Sequence, residues 1–241
     1  MEGSLVRIGV LGGGTVGSSL VALVARQRST VEARTGLVLE IARVAVRDLT
    51  RARAVAIDPA LLTDDAAAVV ADPTIDVVVE VMGGIEPARS LVLASLAAGK
   101  PVVTANKALL AAHGPELFAA AEANGVDLLF EAAVAGGIPF VRPLRESLLA
   151  EPVERVMGIV NGTTNYILTQ MAEGGVDYAD ALAEAQALGY AEADPTADVE
   201  GHDAAAKIAI VASMAFGAEV TANDVVCEGI SSVTAADIAF A

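Results

Sequence analysis

The 241-residue chain is 54 % hydrophobic and 19 % charged, with a formal net charge of −16. That length holds one large or two modest domains and supplies ample apolar material for a core. Polynucleotide binding is excluded as a leading role, because no basic stripe runs along the chain to neutralise phosphates, and the part after Gly137 carries 4 basic against 16 acidic residues.

The longest uncharged run, IGVLGGGTVGSSLVALVA at 8–25, is long enough for a membrane span. Gly12, Gly13, Gly14 and Gly17, followed by Ser18 and Ser19, break such a helix near its middle, and the preceding MEGSLVR lacks a clearly positive leader. A single cysteine, Cys227, forms no internal disulfide and suits a reducing compartment. The expected protein is soluble and cytoplasmic, with no membrane or nucleic-acid partner.

In chain order, LVRIGVL predicts a strand, VGSSLVALVARQ a helix, and LEIARVAV and IDVVVEVM two further strands. ARSLVLASLAAG then predicts a helix, PVVTA a strand, KALLAAHGPELFAAAEANG a helix and VDLLFEAAV a strand. The strands are continuous apolar runs, as expected where helices cover both faces of a parallel sheet. The expectation is a doubly wound α/β domain over 1–137. Gly136, Gly137 and Pro139 punctuate a change of pattern, and a second domain follows over 138–241. It opens with an amphipathic run, FVRPLRESLLA, and a strand candidate, VERVMGIV at 153–160, and is mainly helical thereafter.

The first strand runs into Gly12-x-Gly14-x-x-Gly17, with Thr15 and Val16 at the start of the helix. The first glycine permits the tight turn, the second lets backbone approach a pyrophosphate, and the third lets helix pack on strand. A glycine-rich turn without a ligand is the plain alternative. After the second strand comes Arg47 and only then Asp48, an order that leans towards NADP over NAD. A solvated basic turn of Arg47, Arg51 and Arg53 explains the arginines equally well.

Thr104, Asn106 and Lys107 fall at the C-terminal end of a predicted parallel strand, where open α/β sheets bind ligands. Lys107 there either reaches cofactor or substrate or is a surface lysine near a helix start. Glu131 ends the next predicted strand, and with backbone carbonyls around Gly136 and Gly137 it makes either a hard-cation site or a loop hydrogen-bonded to the carboxylate.

The stretch EADPTADVEGHDAAAK at 192–207 gathers five acids and one lysine at the mouth of an apolar helix. Asp203 and Lys207 lie four apart and share a face. A surface ion pair is the ordinary reading, but the same stripe continues as Ile210, Val211 and Met214, which moves the pair to the edge of a core. Glu192, Asp194 and Asp198, on a loop fixed by Pro195, complete a pocket for an ammonium group and a hydroxyl, while Lys207 handles a proton. Glu200 is expected to be solvated, Asp194 to turn with Pro195, and His202 to be solvated or capping. Finally, Thr234 and Asp237 form a capping box, yet the chain stops at Ala241, within a turn, so it reads either as a fragment or as ending in a dangling tail.

Taken in order, GVLGGGTVGSSL, VEVMGGIEPAR, GKPVVTANKALLA, FEAAVAGGIP, NGTTNYIL and LGYAEADPTADVEGHDAAAKIAI resemble homoserine dehydrogenase across essentially the whole chain. The resemblance implies a Rossmann-type nucleotide domain followed by an α+β substrate and dimerisation domain. It implies reversible interconversion of L-homoserine and L-aspartate 4-semialdehyde with NAD(P), in the pathway towards threonine, methionine and isoleucine, by a homodimer. Carried over position by position, it makes Lys207 the proton donor, Glu192 and Asp203 substrate ligands, and Asp198 a support for the pocket. Lys107 would lie between cofactor and substrate, with Thr104 and Gly189 at the cofactor. Glu131 with the carbonyls of Val134, Gly136 and Ile138 is similar to the family's structural sodium site. Family members continue well past GISSVTAADIAFA, so the resemblance is to a C-terminally truncated member. A nucleotide-binding fragment without turnover is the competing reading.

Overall fold

In the computed structural model, residues 3–53 and 55–241 are described, so Met1 and Glu2 of the MEGSLVR segment lie outside the described residues. The chain divides into two compact units, Met1–Val141 and Arg142–Ala241. The division falls after Val141 rather than after Gly137, because the Glu131 carboxylate accepts the backbone N–H groups of Phe140 (2.7 Å) and Val141 (3.0 Å) and ties that segment to the first unit.

The first unit is built on six strands: β1 (Ser4–Leu11), β2 (Leu37–Ala45), β3 (Leu62–Thr63), β4 (Val77–Glu80), β5 (Val102–Thr104) and β6 (Leu128–Leu129). All pair in parallel, in the order β3-β2-β1-β4-β5-β6. The sheet is a Rossmann-type doubly wound one, and its order reverses between β1 and β4, which opens a crevice at their C-terminal ends. Val10, Leu11, Val44, Val78 and Val102 are fully buried, as the continuous apolar runs require. Helices α1 (Thr15–Thr35), α2 (Ala66–Ala71), α3 (Ala88–Ala97) and α4 (Lys107–Ala123) connect the strands.

Three local features depart from the sequence reading. Helix α1 runs to Thr35, well past the apolar stretch, because its polar last turns face solvent and the Gly36 N–H closes it on the Glu32 carbonyl at 2.8 Å. Strand β3 and helix α2 come from LLTDDAAAVVA, whose short elements carry too few residues for a clear period. Strand β6 spans only two residues, and Glu131 begins a 3-10 turn, Glu131–Ala133, instead of ending a strand.

Lys100 is nearly buried and donates to the Val70 carbonyl at 2.7 Å and to the Asp72 carbonyl, capping the C-terminus of α2. Burial pushes its ammonium pKa below the ordinary lysine value, against the pull of Asp72 and Asp76.

The second unit contains α5 (Gly162–Gly174), α6 (Tyr178–Ala187), α7 (Thr196–Val199), α8 (His202–Phe216) and α9 (Ala235–Phe240). Its core gathers Ile167, Met171, Ala181, Ala185 and Val199, with Ile230, Val233 and Ile238 packed against them. The strand expected at Val153–Val160 is not formed: no described segment pairs with it, and Met157 and Ile159 are each 80 % exposed. A strand needs a ladder partner to satisfy its backbone, so apolar composition alone does not make one. FVRPLRESLLA forms a short helical segment with a π-turn at Pro143–Ser147, in which the Leu148 N–H reaches back to the Pro143 carbonyl at 3.0 Å. The Thr234–Asp237 capping box is present, with Asp237 accepting from the Thr234 N–H at 2.8 Å and Thr234 Oγ1 accepting from the Asp237 N–H at 3.2 Å.

Candidate functional site

The glycine loop leaves β1 at Leu11 and enters α1 through Gly14. Gly12 has φ +111, and a Cβ there would stand 2.6 Å from the Val81 carbonyl oxygen. At Gly17 a Cβ would stand 1.9 Å from the Gly12 oxygen, so strand, turn and helix close on one another only because both side chains are missing. Gly14 differs, since nothing lies within 4 Å of the place its Cβ would take. That open face, at a helix N-terminus with no acid in its first turn, fits a pyrophosphate. Thr15 and Val16 begin the helix and are exposed beside it.

Arg47 follows β2, is exposed and makes no hydrogen bond among the described residues. Arg53 folds back instead, donating to the Asp48 carbonyl at 2.8 Å and the Arg51 carbonyl at 2.9 Å, and its Nε lies 3.3 Å from where a Cβ on Gly13 would be. The sequence reading treated Arg53 as part of a basic turn; its placement over the glycine loop depends on how the turn closes.

The ends of β4 and β5 are joined by Glu80, fully buried and unsuspected from sequence. Its carboxyl accepts from the Thr104 hydroxyl (2.6 Å), the Met82 N–H (2.8 Å) and, more weakly, the Asn106 amide (3.4 Å). Asn106 caps α4, accepting from the Leu109 N–H at 3.1 Å and donating to the Gly84 carbonyl at 2.6 Å. Thr104 is buried with its side chain committed to Glu80, so what it offers a ligand is backbone. Lys107 is the first residue of α4 and half-buried. The only signal for Glu80 was an acid at the end of an otherwise apolar strand. Glu80→Ala orphans the Thr104 hydroxyl and the Met82 N–H and is expected to destabilise the first unit by about 1–3 kcal/mol. Denaturant unfolding reads this directly, and a loss of only a few tenths would contradict the assignment.

In the loop after Glu131, Ala135 has φ 51 and Gly137 has φ 84. The carbonyls of Val134, Gly136 and Ile138 accept no hydrogen bond among the described residues, while the Ala135 carbonyl is taken by the Ile138 N–H at 2.8 Å. Oxygen donors of this kind beside a carboxylate suit a hard cation. The loop is held by the Glu131 carboxylate, the hydrogen-bonded arrangement that was one of the two sequence readings of this segment.

In the second unit Lys207 and Asp203 meet across one turn of α8. Lys207 Nζ donates to Asp203 Oδ2 at 2.6 Å and to the Val160 carbonyl at 2.6 Å, with the two side chains 19 % and 10 % exposed. Asn161 donates its amide to Asp198 Oδ1 (2.6 Å) and Asp203 Oδ2 (2.9 Å). Asp198, Asp203 and Lys207 are thus brought into one hydrogen-bonded cluster, organised by a residue that the sequence reading quoted only inside NGTTNYIL. An ammonium offers three donors, and the hydrogen bonds described engage two of them.

Glu192 is exposed, and its side chain makes no hydrogen bond among the described residues; its carbonyl accepts from Gln186 at 3.0 Å. Gly189 lies just beyond α6, exposed, with φ 77. Asp194 turns the chain into α7, and hydrogen bonds from the Thr196 hydroxyl and N–H hold its carboxyl below the usual carboxylate range. Glu200 is not simply solvated, because it accepts from the Ser231 hydroxyl at 2.7 Å. His202 is exposed at the start of α8.

Known proteins are similar to this chain in both of its units. Residues 12–131 match the model described as homoserine dehydrogenase, NAD binding domain, and residues 139–241 match the homoserine dehydrogenase model. Homoserine dehydrogenase of Corynebacterium glutamicum is 59 % identical over 236 residues, covering 98 % of this chain and 53 % of that protein. The chain spans about half the length of the curated relatives it matches. A homoserine dehydrogenase structure from Thiobacillus denitrificans superimposes with a TM-score of 0.91 at 47 % identity, covering 100 % of this chain and 56 % of that one. A hyperthermophilic archaeal homoserine dehydrogenase in complex with NADPH gives a TM-score of 0.79 at 27 % identity, covering 95 % and 75 %. With both units matched in order and the nucleotide loop and the acid–lysine cluster each in place, the chain belongs to the homoserine dehydrogenase family.

Proposed function

We propose that this chain carries the nucleotide-binding and substrate-binding machinery of an NAD(P)-dependent homoserine dehydrogenase, interconverting L-aspartate 4-semialdehyde and L-homoserine. The observation that supports it most is Lys207, held at 2.6 Å by both Asp203 and the Val160 carbonyl, with a third donor left for a substrate oxygen. When bound, the nicotinamide supplies or accepts hydride at the carbon bearing that oxygen. As the aldehyde oxygen gains negative charge, the Lys207 ammonium stabilises it and then transfers a proton to it; in the reverse direction the amine takes the hydroxyl proton. Asp203, Asp198 and Glu192 offer carboxylates to the α-ammonium group of the amino acid. In the first unit, Gly14 and the N-terminus of α1 take the pyrophosphate, and Gly12 and Gly17 shape the turn. Lys107 and the backbone at Thr104 are assigned to the cofactor. Glu131 with the carbonyls of Val134, Gly136 and Ile138 is assigned a sodium ion of structural role.

NADP is the preferred cofactor in this reading, on the strength of Arg47 beyond β2 and Arg53 over the glycine loop. Arg47→Ala is expected to raise the NADPH Kd about tenfold, the worth of one charge-assisted phosphate contact, and to leave NADH unchanged; equal effects on both cofactors would count against a 2′-phosphate contact. The enzyme is assigned to the synthesis of threonine, methionine and isoleucine, as a homodimer in the cytoplasm. No described helix is long and apolar enough to cross a membrane. Reduction of NADP and NAD by the purified protein, with and without L-homoserine, tests the activity. Cofactor binding without homoserine-dependent reduction, in folded protein, would leave only a nucleotide-binding fragment.

A further inference from the structure

Asn161 sits immediately before α5, 7 % exposed, and both ends of its carboxamide are engaged. Oδ1 accepts from the Thr164 N–H at 2.8 Å and the Thr164 hydroxyl at 3.0 Å, which caps α5. Nδ2 donates to Asp198 Oδ1 at 2.6 Å and Asp203 Oδ2 at 2.9 Å. The carbonyl just before it, that of Val160, is the second acceptor for Lys207. One short piece of chain therefore supplies both a carbonyl to the lysine and an amide to the lysine's partner.

These two jobs need different chemistry. The cap requires only a side-chain acceptor, and serine or aspartate supplies it about as well as asparagine. The other end requires two hydrogens on one planar nitrogen, aimed at two carboxylates that repel each other. Those carboxylates stand on α7, a single turn, and on the first turn of α8, which follows it through Glu200 and Gly201. The Asn161 amide spans the two carboxylates, so removing it takes away a donor that Asp198 and Asp203 share.

We propose that Asn161 is a positioning residue for the proton-transferring lysine: its amide ties Asp203 to Asp198 and so fixes where Lys207 holds its third donor. This rests on the dehydrogenase reading above, in which Lys207 meets a substrate oxygen. The nearby charged groups in the cluster are Asp198 from α7 and Asp203 and Lys207 from α8, and the amide touches both acids while the lysine touches one of them.

The test uses Asn161→Ser, which keeps the cap acceptor and loses the paired amide donors, beside Thr164→Val, which weakens the cap and leaves the donors. The serine variant is expected to unfold near the wild-type temperature, bind NADPH unchanged and lose about 100-fold in kcat for homoserine, the usual consequence of misplacing a catalytic group by about 1 Å. The Thr164→Val protein keeps its kcat. A serine variant with wild-type kcat overturns the proposal, as does a loss of kcat shared equally by Thr164→Val, which would mark Asn161 as a cap alone. If the serine variant fails to fold, Asn161→Thr, another cap acceptor without the paired amide donors, takes its place with the same expectations. Should the wild-type protein show no homoserine-dependent turnover, the dehydrogenase reading falls, and a crystal structure of the variant decides the positioning role by itself. Separation of Lys207 Nζ from Asp203 Oδ2 beyond hydrogen-bond distance supports it, and retention of the 2.6 Å contact overturns it.

Discussion

Lys207→Ala is expected to lower homoserine-dependent reduction of NADP by at least about 100-fold, within the range that a positioned general acid or base contributes. The chemistry behind the number is local. Hydride arriving at an aldehyde carbon leaves charge on oxygen, and in the proposed reaction Lys207, anchored at 2.6 Å to Asp203 and at 2.6 Å to Val160, is the cation assigned to receive it. Alanine removes charge and proton together, so Lys207→Arg is the sharper companion. Arginine keeps the cation but does not release its proton at any accessible pH. It is expected to preserve more stability than alanine and yet recover little of the lost turnover. NADPH binding, read by fluorescence, should be the same in all three proteins, because the glycine loop belongs to the other unit. Turnover within a few-fold of wild type in Lys207→Ala would remove the lysine from the mechanism.

Gly17→Ala and Gly14→Ala are expected to fail in different ways. At Gly17 the new methyl group would stand 1.9 Å from the Gly12 oxygen and 3.2 Å from Val81 Cγ2, and the first contact is with backbone that has little room to yield. Helix α1 must move off the turn, which is expected to destabilise the first unit by about 1–3 kcal/mol, the ordinary range for overpacking. The same movement draws the helix N-terminus away from the pyrophosphate, so NADPH affinity falls as well. At Gly14 the methyl group meets nothing within 4 Å, and the backbone there has φ −75, so the fold is expected to keep its stability. What it occupies is the ligand's space. Thermal unfolding and NADPH titration of the two variants together should show stability and affinity both lost for Gly17→Ala, and affinity alone lost for Gly14→Ala. Wild-type NADPH binding by Gly17→Ala would mean that the loop is not the phosphate cradle.

The features legible in the sequence are those carried by neighbours in the chain. Apolar runs marked the segments of β1, β2, β4 and β5, glycine spacing marked the turn into α1, and the four-residue interval between Asp203 and Lys207 placed them on one face of α8. The Thr234–Asp237 capping box was equally plain, since both of its hydrogen bonds span three residues. In each case a local rule of backbone geometry decides the outcome before any packing does.

The same chain left other matters to its tertiary structure. The Val153–Val160 run has the composition of a strand but no described partner, and a strand is defined by its partner. Glu80 was hidden because its value lies in Thr104, 24 residues away, and Asn161 because its acids lie 37 and 42 residues away. The placement of Arg53 likewise depends on how its turn closes. Sequence alone therefore determined a nucleotide-binding α/β unit and the lysine–acid pair. Only the folded chain decided the strand order and the polar groups that hold the pair and the strand ends in place, because those bonds join residues whose proximity no local pattern encodes.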